Sequence, residues 1–228
     1  MIVSVAVGFA LAMPGIAVGS ETIGQTGADI SCVGDQSYVQ KSVAAQTPYS
    51  PSAHGVITSW SAAASADTDQ TAELLVLRPG AGTEFTAVQK DVVRTLSSPN
   101  ALNSFTGLHL PIEPTDRIGV YVPTDSNYPC EFETAILADE VAFTPISSGE
   151  PPVGAPLDFS ATEYEVRVNV QATVEPDADR DGFGDETQDQ CPSNASTQGP
   201  CPVHKKKCKK HKKHSASAAK KRCKKKKH

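Results

Sequence analysis

From Tyr164 to Val174 polar and apolar side chains alternate without a break, a pattern that suits a β-strand and no helix. Tyr164, Val166, Val168, Val170, Ala172 and Val174 fall on one side, and Glu165, Arg167, Asn169, Gln171 and Thr173 on the other. With β-branched residues leading the apolar side, this predicts a strand that buries one face only. Arg117 to Val122 repeats the alternation with Ile118, Val120 and Val122 inward. Leu74 to Leu77, the loop Pro79-Gly80-Ala81-Gly82 and Phe85 to Val93 read as a hairpin. Val56 to Trp60, Leu102 to Ile112 and Ala135 to Phe143 supply further strands, and Ser97 to Asn100 and Ser147 to Pro156 read as loops. The chain carries 16 glycines and 17 prolines, and no stretch has the period of an amphipathic helix. About eight strands at this spacing predict an all-β fold, an antiparallel β-sandwich or jelly roll, over residues 20–175.

Ile2 to Val18 is apolar or small almost throughout and ends in Ala17-Val18-Gly19 before Ser20. That small-x-small ending predicts a signal peptide over residues 1–19, although no Lys or Arg precedes Lys41. The mature chain is then secreted, or associated with the cell envelope, without a transmembrane span. Six cysteines, at positions 32, 130, 191, 201, 208 and 223, suit disulfides in an oxidising compartment. A Cys32–Cys130 bridge would close a loop of about 100 residues, worth roughly 4–5 kcal/mol in the chain-entropy model.

The net charge of −5 hides an asymmetry. Residues 1–203 hold all 26 acidic groups and 7 of the 21 Lys and Arg, a charge of −19. Residues 204–228 hold the other 14 basic groups and no acid. Nothing apolar there offsets the entropy of ordering, so a disordered polybasic tail is expected. Such a tail adheres to anionic envelope polymers or other polyanions by counterion release, with no sequence-specific recognition of nucleic acid. His204, Cys208, His211, His214 and Cys223 match no zinc spacing.

The chemistry-bearing motif follows Pro176. Asp177, Asp179 and Asp181 stand at positions 1, 3 and 5 of a loop, with Gly182 at the sharp turn of position 6. Phe183 would give its carbonyl at position 7 and Asp185 its carboxylate at position 9. Calcium takes six to eight hard oxygen ligands, and alternate aspartates around a glycine turn present them. Gln188 occupies position 12, where a helix-loop-helix calcium site carries Glu, and no helices flank the loop.

The run D-x-D-x-D-G-x-G-D, followed by an acid and Cys-Pro from Asp177 through Pro192, resembles the thrombospondin type 3 repeat. The resemblance covers about 26 residues, in a single copy, and its final acid, Asp189, comes one residue later than the family places it. It implies a calcium-binding segment over residues 176–203, an irregular chain wrapped around calcium and pinned by disulfides through Cys191 and Cys201. The last ligand would be Gln188 or Asp189.

Neither His54 nor His109 lies in a nucleophile or metalloprotease motif, and no phosphate-binding glycine loop occurs. The expectation is therefore a non-catalytic surface or adhesion protein whose sandwich engages a glycan or a protein. It resembles secreted bacterial surface proteins that join a β-module to a calcium repeat. The competing reading is a secreted hydrolase with an unrecognised site. Trp60, near Tyr38 and Tyr49 in sequence, is expected in the core rather than stacked on a sugar.

Overall fold

A computed structural model describes residues 19–28, 30–44 and 48–203. The leader expected over residues 1–18 and the tail over 204–228 lie outside the described residues. Among the described residues there is no helix. The strands are β1 (Glu21–Gln25), β2 (Gln36–Ser42), β3 (Gly55–Ala63), β4 (Thr71–Pro79), β5 (Glu84–Lys90), β6 (Arg94–Thr95) and β7 (Leu102–Ile112). They continue as β8 (Arg117–Val122), β9 (Glu131–Glu133), β10 (Glu140–Phe143), β11 (Pro156–Asp158), β12 (Ala161–Tyr164), β13 (Val166–Val168) and β14 (Val170–Pro176).

Four strands form one sheet in the order β1-β14-β3-β7. A larger sheet runs β11-β5-β4-β8-β2-β10-β12, with β6 added on β4, and β13 pairs with β9 alone. Every strand pairing is antiparallel. The two ends of the large sheet, β11 and β12, are separated in sequence only by Phe159 and Ser160. Six flat inter-strand gaps would span about 29 Å. Three Cα–Cα steps reach about 11 Å at most. The large sheet must therefore curl, and the fold is a sandwich with a half-barrel as one layer.

That curl creates two apolar cores. Ile23, Ile57, Trp60, Leu74, Val76, Ile118, Val120, Val122, Val170, Ala172 and Val174 fill the space between the sheets. All of these side chains are buried. Val39, Leu75, Leu77, Phe85, Ala87, Tyr121, Ala142 and Phe159 form a second cluster on the opposite face of the large sheet. Ile118, Val120 and Val122 point inward as expected, but Tyr121, on the other face of β8, is buried too. The Cys32–Cys130 disulfide, Cα–Cα 5.5 Å, ties the segment before β2 to the start of β9.

Several expectations need correction. The run from Tyr164 to Val174 is not one strand but parts of three, β12, β13 and β14. Glu165 has φ 62° and ends the pairing of β12 with β10, after which the chain leaves the large sheet for β9 and then the small sheet. Passing between layers, it is covered on both sides, so Arg167 and Asn169 are buried where water was expected. Asn169 compensates by accepting from Gly27 N and Ala63 N and donating to the carbonyls of Ala63 and Pro129. Of Ala135 to Phe143, only Glu140–Phe143 is strand. β1 and β2 were not foreseen, and the hairpin loop is Gly80 to Thr83, one residue later than read. Trp60, Tyr38 and Tyr49 are core residues, 1%, 4% and 3% exposed, and offer no face to a sugar.

Candidate metal centre

Strand β14 ends at Pro176, and the acidic loop begins at once. Asp177 organises it: Oδ1 accepts the Asp181 amide at 3.1 Å and Oδ2 the Gly182 amide at 3.0 Å. The chain turns back through Arg180 (φ 61°) and Gly182 (φ 87°), and the second of these is why a residue without Cβ stands at position 6. Carboxylate oxygens of Asp177, Asp179 and Asp181 are thereby brought within 4.8 Å of one another, a group able to hold a metal ion. Asp181 also accepts from Phe183 N at 3.0 Å and from Gln198 Nε2 at 2.9 Å. Both oxygens of Asp179 are buried without a hydrogen-bond partner. Among the described residues no Lys or Arg forms an ion pair with any of the three. Three clustered carboxylates repel one another unless a cation neutralises them, and their hard oxygens fit calcium.

Asp185 and Asp189 are not among the carboxylates that converge within 4.8 Å, and flank them in sequence, where they could complete the shell of an ion held by the three. Asp185 turns its carboxylate to the Ala178 amide, at 3.1 Å. Burial, with the charges of Asp177, Asp179 and Asp189, pushes the Asp185 carboxyl above its ordinary value, against the Ala178 bond. Asp189 accepts the Cys191 amide on Oδ1 and keeps Oδ2 buried without a partner. Phe183 sets its ring edge-on to His109, centroids 5.1 Å apart. Gln188 accepts from Gly184 N at 3.0 Å and donates to Leu108 O at 2.8 Å. The Cys191–Cys201 disulfide, Cα–Cα 4.8 Å, closes the segment. A second grouping, Cys32, Cys130 and Glu131, has both sulfurs in a disulfide and offers no thiolate.

Two anchors escaped the sequence reading. Glu175 is 4% exposed, and its carboxylate accepts from Glu186 N (3.2 Å), Thr187 N (2.9 Å) and the Thr187 hydroxyl (2.7 Å). Glu186 in turn accepts from Ser20 N at 2.8 Å and from the Ser20 hydroxyl at 2.7 Å, and these two bonds hold its carboxyl below its ordinary value. The acidic segment is thus fastened to the sandwich at β1, β7 and β14. A cleft of about 440 Å³ opens beside the loop, with His54, Arg78, Gln89, Pro111, Arg180 and Asp181 among its walls. Comparison with protein-family models, with curated proteins and with solved structures finds no significant match to the chain.

Proposed function

We propose that this is an exported, non-catalytic surface or adhesion protein in which residues 176–203 form a calcium-stiffened segment between the sandwich and a polyanion-binding tail. The observation that carries the calcium reading is the convergence of Asp177, Asp179 and Asp181 with both Asp179 oxygens buried and unpartnered. These three, with the Phe183 carbonyl, Asp185 and Asp189, would hold the ion, whose charge relieves their repulsion so that binding free energy becomes ordering free energy. The two disulfides suit an oxidising compartment and support export. The cleft beside the loop is the place for a glycan or protein ligand, and the basic tail adheres to envelope polyanions.

The test is limited proteolysis of the mature chain with calcium, magnesium or chelator. Calcium should protect residues 176–201, magnesium should substitute poorly, and Asp179→Ala with Asp181→Ala should abolish protection. Equal cleavage with calcium and with chelator, both disulfides intact, rejects the calcium reading. Binding to a polyanion should weaken steeply with salt, and survival of that binding after deletion of residues 204–228 rejects the role of the tail.

A further inference from the structure

We propose that Gly19–Ser20 is a processing bond and that the α-ammonium released on Ser20 is held by Glu186, so that the new N-terminus latches β1 to the acidic segment. The proposal rests on the export reading and adds to it a receptor for the processed end. Ser20 gives one donor to each oxygen of a single carboxylate, its amide to Oε1 at 2.8 Å and its hydroxyl to Oε2 at 2.7 Å, across 166 residues of sequence. The β1–β14 register, with Glu21 opposite Val174, delivers Ser20 to the point where β14 passes into the acidic loop. From the other side Glu175 fixes the backbone of Glu186 and Thr187, so the Glu186 carboxylate is presented to Ser20.

Among the described residues no Lys or Arg forms an ion pair with Glu186. Processing supplies the missing charge. Water adds across the Gly19–Ser20 bond under an export peptidase, leaving a carboxylate on Gly19 and an ammonium on Ser20. A neutral amide with one donor becomes a cation with three, and a charge-assisted hydrogen bond replaces an ordinary one. Both Gly19 and Ser20 are exposed, as a bond open to a peptidase must be.

Periodate tests this, because it cleaves the 1,2-amino alcohol found only at an N-terminal serine or threonine and leaves an aldehyde whose mass identifies Ser20. The secreted chain should begin at Ser20 and be oxidised slowly. Glu186→Ala should raise that rate roughly two- to fivefold, the range expected of an exposed ion pair, and Glu186→Gln should raise it less. Should Glu186→Ala fail to keep both disulfides and the native circular dichroism, the Glu186→Gln rate decides. A chain that begins at Ser20 but oxidises equally fast in native and variant forms overturns the latch and leaves export standing. A chain recovered with another N-terminus, or with Met1 intact, overturns the processing site itself.

Discussion

Arg167 and Asp139 form a two-point ion pair, Nε to Oδ2 at 2.7 Å and Nη2 to Oδ1 at 3.2 Å, with side chains only 2% and 0% exposed. Burial alone would push the Asp139 carboxyl up, but the Arg167 guanidinium and the Ala44 amide hold it below its ordinary value. The pair sits where the chain crosses from the large sheet to the small one, and Arg167 also donates to Gln25 on β1 at 2.5 Å. Asp139→Asn should cost about 3–5 kcal/mol, because it removes the negative partner of a buried, two-point ion pair. Urea unfolding should show a lower midpoint at unchanged slope.

Glu131 sets a pH dependence of opposite origin. It is 2% exposed, its Oε1 has no partner, and burial followed by the neighbouring Glu163 raises its carboxyl from 4.5 to about 8. The folded chain therefore keeps this proton to about pH 8, while the unfolded chain releases it near 4.5. This contribution to stability is full below pH 4.5 and falls as pH rises toward 8. Glu131→Gln should flatten that slope and raise stability at pH 8 by about 1–3 kcal/mol, as read from urea titrations at pH 5 and pH 8.

Gly184 leaves room for Glu175. A Cβ at position 184 would collide with the Glu175 side chain, which holds Glu186 and Thr187. Gly184→Ala should loosen the acidic segment while the sandwich stays folded. The expected cost is about 1–3 kcal/mol, the range for losing the partners of a buried carboxylate. Hydrogen exchange should rise at the amides of Glu186 and Thr187 and not at β8.

What could be read from the sequence depended on how many neighbours a residue needed. Arg117 to Val122 was legible because a central strand shows its alternation whatever surrounds it. In Tyr164 to Val174 the strand character was equally plain, but its division into three was not, since Glu165 turns only because β10 and β9 lie in different sheets. β2 was hidden because Gln36, Ser37 and Gln40 look like surface residues yet are buried, their polar atoms bonded to Thr144, Glu140 and Val168 among others. The spacing of Asp177, Asp179 and Asp181 announced their convergence, because a local turn achieves it. Ser20 meets Glu186 only once β1 pairs with β14, and Glu175 meets Glu186 and Thr187 only once the acidic segment folds back on the end of β14, so neither role shows in the local sequence.

The bond from Gln188 to the Leu108 carbonyl has a consequence for solubility. β7 is eleven residues long and forms one end of the small sheet. A strand in that position presents unpaired amides and carbonyls, which invite a strand from another molecule to add. Gln188 occupies one of those carbonyls, Phe183 lies against His109, and Gly182 lies beside Pro111, so the acidic segment screens the second half of this edge. Whatever orders residues 176–203 therefore also keeps that half of β7 closed to intermolecular strand exchange, and loss of that order would turn a loop defect into self-association.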